Sequence, residues 1–202
     1  MSERRVLLAS RNAKKLVELQ RILGPAADVE LVGLGDVPEY PEAPETGATF
    51  AENALLKARE GVHYTGLPTV ADDSGLAVDA LNGMPGIFSA RWSGKHGDDQ
   101  ANLDLLLAQL GDVPDVRLGA AFVCAAVLVL PDGTEHVTEG RLVGRLIRSM
   151  RGDGGFGYDP IFVPTGDERT TAQLTPEEKD LISHRGQAFR ALAPFVTAVV
   201  RG

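Results

Sequence analysis

The chain of 202 residues carries a single cysteine, Cys124. An intrachain disulfide and a cysteine-rich zinc site are therefore excluded. The four histidines are scattered and no His-Glu-x-x-His run occurs, which argues against a zinc hydrolase. Long apolar runs are missing too. The longest, Ala120 to Leu130, has 11 residues, where a membrane-spanning helix needs about 20. Near the N-terminus only the four apolar residues Val6 to Ala9 follow the basic start, too few for the apolar region of a signal peptide. Positive charge is in deficit, with 20 Lys and Arg against 28 Asp and Glu for a net charge of −8. A protein that coats duplex DNA or RNA needs a basic footprint, so no nucleic acid polymer is expected as partner. A small phosphorylated ligand, held by a few lysines and a metal ion, is compatible with that balance. No repeat or low-complexity segment is present. These absences predict a soluble, cytoplasmic protein without a membrane partner.

What is present is an ordinary globular mixture, 44% hydrophobic and 24% charged. The length suits one domain over residues 1–202, or two small lobes sharing one core. Val6 to Ala9 reads as a short buried strand. Asn12 then caps a helix with Leu16, Leu19 and Leu23 on one face, ended by Gly24-Pro25. Val29 to Val32 suits a second strand, and Pro38, Pro41 and Pro44 impose an extended loop. Thr49 and Glu52 form a capping box at the head of a helix, in which Thr49 accepts from the Glu52 N–H and the Glu52 carboxylate reaches back to Thr49. Its apolar stripe is Phe50, Ala54, Leu55, Ala58 and Val62. Thr69 to Ala71 is expected as a short strand that ends at Asp72-Asp73-Ser74-Gly75. Asp98 or Asp99 caps a helix with Leu103, Leu106, Leu107 and Leu110 inward and Gly111 at its end. Two longer strands, about Leu118 to Leu130 and Thr134 to Val143, flank a Pro131-Asp132-Gly133 turn. A second capping box with proline at the first helical position, Thr175-Pro176-Glu177-Glu178, opens the last helices, which break near Ser183 and turn Phe189, Leu192, Val196 and Val199 inward. The order is mixed α/β.

Four segments carry polar groups where α/β sheets place ligands. Ser10-Arg11-Asn12-Ala13-Lys14-Lys15 lies between the first strand and first helix, where free amides and lysines suit a phosphate; a capped helix with solvated lysines is the plainer reading. Asp72 and Asp73 end a strand, and adjacent strand residues point to opposite faces, so one carboxylate faces any given site. An Asp-Ser-Gly turn is the alternative. With Glu45 such a carboxylate suits Mg²⁺, which takes oxygen ligands and keeps several waters. Gly152 to Gly157 matches G-x-G-x-x-G, but Pro160 follows where a dinucleotide site needs a helix. Within it Phe156-Gly157-Tyr158-Asp159 offers either a stacking face for a base or a glycine-rich turn over a core phenylalanine. Lys179, His184 and Arg185 lie on the last helices, and a cation pair at a helix N-terminus opposes the dipole, which favours a functional reason.

Taken in order, these stretches resemble the inosine triphosphate pyrophosphatase family. They are Ser10 to Lys15, Glu45-Thr46-Gly47 through Glu52-Asn53-Ala54 and Lys57-Ala58, and Ala71 to Leu76. Pro85 to Arg91, Gly154 to Pro160, Leu174 to Lys179 and Ile182 to Arg185 complete the set. The resemblance implies an α/β fold, an elongated mixed β-sheet with flanking helices forming two lobes around a central cleft, also described as anticodon-nuclease-like, assembled as a homodimer. It implies Mg²⁺-dependent hydrolysis of ITP, dITP and XTP to the monophosphate and pyrophosphate. Ser10, Arg11, Asn12, Ala13, Lys14 and Lys15 would hold the triphosphate. Glu45 and Asp73 would bind the metal, with Asp73 also orienting or deprotonating water. Lys57 and Ser74 would join the phosphate or sugar contacts. Phe156, Gly157, Tyr158, Asp159, Lys179, His184 and Arg185 would surround the purine. Ser10 stands where the family often has threonine, Arg11 where a small residue is common, and Trp92 where tyrosine is frequent; none removes a group the chemistry needs. A Maf-like pyrophosphatase would carry Ser-Pro-Arg-Arg after the first strand, which this chain lacks. A non-catalytic nucleotide-binding regulator would lack a metal carboxylate, whereas Glu45, Asp72 and Asp73 are all present.

Overall fold

A computed structural model describes residues 5–10, 17, 21–22, 30–41 and 44–201. The strands are β1 (Arg5–Leu8), β2 (Glu30–Gly33), β3 (Thr69–Val78), β4 (Gly119–Val129), β5 (Glu135–Leu146) and β6 (Phe162–Pro164). The helices are α1 (Phe50–Thr65), α2 (Asp99–Gln109), α3 (Pro176–Ile182) and α4 (His184–Arg201). The strands form one mixed sheet in the order β2-β1-β3-β4-β5-β6, in which β1 runs parallel to β2 and β3 while β5 and β6 are antiparallel. The α/β expectation is met. The helix expected from Asn12 to Leu23 lies outside the described residues, apart from Val17, Arg21 and Ile22, which are helical.

By their internal contacts the residues group into two compact units. One is Met1–Asp73, Cys124–Gly140 and Arg185–Gly202; the other is Ser74–Val123 and Arg141–His184. In the first unit β1, the start of β3 and β4 are covered on both faces, so their sequences are continuously apolar rather than alternating, whereas β5 is exposed at every second residue. Val70, Ala126 and Leu128 pack with Ala188, Phe189, Leu192 and Val196 of α4. Their neighbours Ala71, Val127 and Val129 pack with Ala54 and Ala58 of α1, with Leu55 and Val62 at the margin. This alternation is the period-2 pleat, and it decides where the next two residues of β3 go. In the second unit Leu103, Leu106 and Leu110 join Leu76, Val78, Ala120, Phe122, Leu146, Ile161 and Phe162 in one core.

Two expectations are corrected. The strand expected to stop at Ala71 continues through Asp72-Asp73-Ser74-Gly75 to Val78, so these residues are mid-strand and no turn occurs. Gly75 permits this: a Cβ there would collide with the Gly86 carbonyl and the Ser89 hydroxyl. The same hydroxyl accepts from the Leu76 N–H at 2.9 Å and donates to the Gly86 carbonyl at 2.6 Å. At the head of α1, Thr49 Oγ1 accepts from the Glu52 N–H at 3.1 Å as expected, but the Glu52 carboxylate accepts from Ala48 N–H, at 2.6 Å, one residue before the anticipated partner. The box before α3 is complete, with Glu178 N–H to Thr175 Oγ1 at 3.2 Å and Thr175 N–H to Glu178 Oε2 at 2.8 Å. Ser183 adopts an extended backbone (ψ 150°) and separates α3 from α4, as its position suggested.

Candidate functional site

The first unit contains a charged cluster around Lys57. On α1, Asn53 and Lys57 are four residues apart and share one face of the helix. On β3, the pleat that sends Ala71 toward α1 sends Asp73 the same way, two residues on. Lys57 Nζ lies 2.6 Å from Glu45 Oε1 and 3.1 Å from Asp73 Oδ1, and it reaches the Asp72 carbonyl at 3.4 Å. Burial alone would lower the Lys57 pKa. Asp73 and Glu45 outweigh it and hold the pKa above the usual lysine range, so the ammonium is charged at any working pH. Two carboxylates against one ammonium leave the cluster one negative charge in excess.

Asp72 points to the other face of β3. Its Oδ2 lies 3.6 Å from Arg185 Nε and 3.9 Å from Cys124 Sγ. Both side chains of that ion pair are buried, Asp72 at 0% exposure and Arg185 at 5%. The carboxylate thereby compensates a cation set in the first turn of α4, where the helix dipole alone would disfavour it. The alternation expected of the two aspartates is realised, with the turn reading replaced by a strand.

The second unit carries an aromatic and lysine cluster. Gly155 and Gly157 take positive φ, +71° and +61°, which gives the loop its shape. Asp159, 3% exposed, lies beneath that loop. One carboxylate oxygen accepts from the Phe156 N–H at 2.8 Å and Lys179 Nζ at 2.6 Å, and the other from Thr171 Oγ1 at 2.7 Å. Asp99, just inside α2, accepts from the Gly157 N–H at 2.9 Å. Lys179 Nζ stands 5.3 Å from the Phe156 ring centroid, within cation–π range. Tyr158 donates to the Ser89 carbonyl at 3.0 Å, and burial, then the Asp99 charge, push its phenol above the ordinary range. The His184 ring stacks on Phe122 with centroids 5.0 Å apart and is 3% exposed. The glycine-rich turn is there, but Phe156 is half-buried and outside the core clusters, so it is not the core phenylalanine of the plainer reading.

The structure thus brings Glu45, Lys57 and Asp73 together, and it places Phe156, Gly157, Tyr158, Asp159 and Lys179 together. Ser10 follows β1, its N–H bonded to the Leu8 carbonyl at 3.0 Å, and Ser74 is half-buried in β3. Arg11, Asn12, Ala13, Lys14 and Lys15 lie outside the described residues. Asn53, Asp99 and Thr171 received no site role from the sequence, Asp99 being read only as a possible helix cap. Only Asn53 had a usable signal, its place four residues before Lys57 on a helix.

Among the described residues no group of three or more His, Cys, Asp or Glu could hold a metal ion. The Glu45 and Asp73 pair nevertheless fits Mg²⁺. Two hard oxygen donors from distant segments already converge on one cation, and Mg²⁺ commonly takes one or two carboxylates plus phosphate oxygens and waters.

The model of the Ham1 family matches residues 6–195. The chain belongs to the Ham1 family. It is 66% identical over 201 residues to a dITP/XTP pyrophosphatase of Nocardia farcinica, covering 98% of each chain. A solved structure described as a nucleoside-triphosphatase / dITP/XTP pyrophosphatase from Mycobacterium abscessus shares 66% identity at a TM-score of 0.78, over 94% of this chain and 99% of that one. A HAM1 protein from Coxiella burnetii shares 40% identity at a TM-score of 0.87, over 96% and 98%. The family and the mixed α/β fold expected from the sequence are both borne out. Among the described residues no helix of this Ham1 chain is long and apolar enough to cross a membrane.

Proposed function

We propose that this chain hydrolyses the α–β phosphoanhydride of ITP, dITP and XTP, giving the monophosphate and pyrophosphate, as a cytoplasmic homodimer that clears non-standard purine nucleotides. The observation that carries the reading is the convergence of Glu45 and Asp73 on Lys57, in a chain 66% identical to a dITP/XTP pyrophosphatase.

A phosphoanhydride repels nucleophiles by its own negative charge, so catalysis here is mostly charge neutralisation and positioning. Lys57, kept charged by its two carboxylates, supplies fixed positive charge and holds Asp73 in one orientation. Asp73 aligns the attacking water and accepts its proton, while Ser10 to Lys15 bind the triphosphate. Glu45 and Asp73 would hold Mg²⁺, which when bound neutralises phosphate charge and polarises phosphoryl oxygens. Ser74 would contact phosphate or sugar. Phe156 would stack on the purine, with Lys179 and Asp159 fixing its loop.

Base choice is then a matter of hydrogen bonds. Hypoxanthine and xanthine accept at O6 where adenine donates, so donors from His184 or Arg185 would leave adenine mismatched. Asp72 fixes the position of Arg185 for that purpose.

The Asp73→Asn variant tests the reading. Removing the general base should lower turnover by about 10² to 10⁴ while the melting temperature stays near wild type. The wild-type products should be IMP and pyrophosphate. Near-normal pyrophosphate release from the variant would take Asp73 out of its role, and release of inorganic phosphate and IDP would assign the wrong bond.

A further inference from the structure

Asn53 is fully buried, at 0% exposure, and both ends of its amide are engaged inside the first unit. Its Oδ1 accepts from the Gly47 N–H at 2.8 Å, and its Nδ2 donates to Asp73 Oδ2 at 3.4 Å. Chemistry settles the orientation of the amide, because a backbone N–H only donates and a carboxylate only accepts. Gly47 lies two residues beyond Glu45. The loop approaches so closely that a Cβ on Gly47 would sit 2.7 Å from Asn53 Oδ1. One side chain therefore ties the loop that carries Glu45 to the carboxylate on β3. Lys57 takes the other Asp73 oxygen, so the two carboxylate oxygens are held from two neighbouring turns of α1.

We propose that Asn53 is a positioning residue for hydrolysis: it sets the rotation of the Asp73 carboxylate and, through Gly47, the place of Glu45 beside it. The proposal rests on the reading of Glu45, Lys57 and Asp73 as the hydrolytic centre. No isostere does both tasks. Aspartate keeps the acceptor for Gly47 and loses the donor to Asp73, while leucine keeps neither. A loop latch needs the acceptor alone, and a positioning residue needs the donor.

That difference makes Asn53→Asp the informative variant. Its kcat for ITP should fall about 10- to 100-fold, the usual cost of a misplaced reacting group, with KM within about threefold of wild type. Asn53→Ala, which frees both carboxylates, should also weaken Mn²⁺ binding measured by electron paramagnetic resonance without nucleotide. A wild-type kcat in Asn53→Asp, or undiminished Mn²⁺ binding in Asn53→Ala, would overturn the proposal and leave Asn53 a latch. Should neither variant fold, the side-chain amide of wild-type Asn53 decides by NMR. Its Nδ2 protons should be protected and should move when Asp73 is changed to Ala; unmoved signals overturn the proposal. A wild-type chain that does not turn over ITP sinks the hydrolytic reading itself. Normal wild-type turnover beside an equally active Asn53→Asp sinks only the placement of Asn53.

Discussion

Lys57 shows how one residue's environment sets its chemistry. Burial works against its charge, yet Asp73 and Glu45 raise its pKa above the ordinary lysine value of 10.5. A group whose folded pKa is raised contributes stability in full below its unfolded pKa and loses it as pH rises through the folded value. The contribution of Lys57 should therefore be undiminished across neutral pH and decline only above about 10.5. Removing one partner of a buried ion pair costs about 3–5 kcal/mol, because the other charges are left without compensation. Lys57→Ala should lower stability by that order, by the same amount from about pH 6 to about pH 9. Denaturant unfolding of both proteins at several pH values checks this. A gap that closes by pH 9 would mean that Lys57 is not held as its neighbours imply. The same residue-level logic was partly visible in the sequence. Two adjacent aspartates on a strand had to face opposite ways, but that one would meet Lys57 and the other Arg185 depended on which helix covers which face.

At the scale of elements, local signals were read well where the interaction is local. Both threonine caps, the Asp98 cap of α2, whose Oδ1 accepts from the Ala101 N–H at 3.2 Å, and the Ser183 break need only a few consecutive residues. The Pro131-Asp132-Gly133 turn likewise stands where expected, with Gly133 N–H bonded to the Leu130 carbonyl at 3.0 Å. The continuation of strand β3 beyond Ala71 was missed because its middle is polar. Asp-Asp-Ser-Gly is turn composition, and only partners distant in sequence, Lys57 and Arg185 for the aspartates and Ser89 beside Gly75, make it a strand. Gly75→Ala tests that correction. In a solvent-exposed turn an added methyl would be tolerated, whereas in β3 it meets the Gly86 carbonyl and should cost about 1–3 kcal/mol by overpacking. Equilibrium unfolding of the variant measures it, and an unchanged midpoint would argue for slack the packing does not show.

For the molecule as a whole, the net charge of −8 and the single cysteine narrowed the function without naming it. The ordered set of motifs then pointed to the family, and residues 6–195 match the Ham1 model. The mixed sheet was foreseeable from the order of elements; which segments make up each contact unit was not, since each unit draws on segments far apart in the chain. What Asn53 and Asp99 touch, the Asp73 carboxylate and the Gly157 N–H, stayed illegible because those partners lie 20 and 58 residues away. The most direct test of the account is pyrophosphate release from ITP, XTP, GTP and ATP side by side, with and without Mg²⁺. The account predicts strong, Mg²⁺-dependent release from ITP and XTP and little from GTP and ATP. Equal release from all four, or release from none, would contradict it.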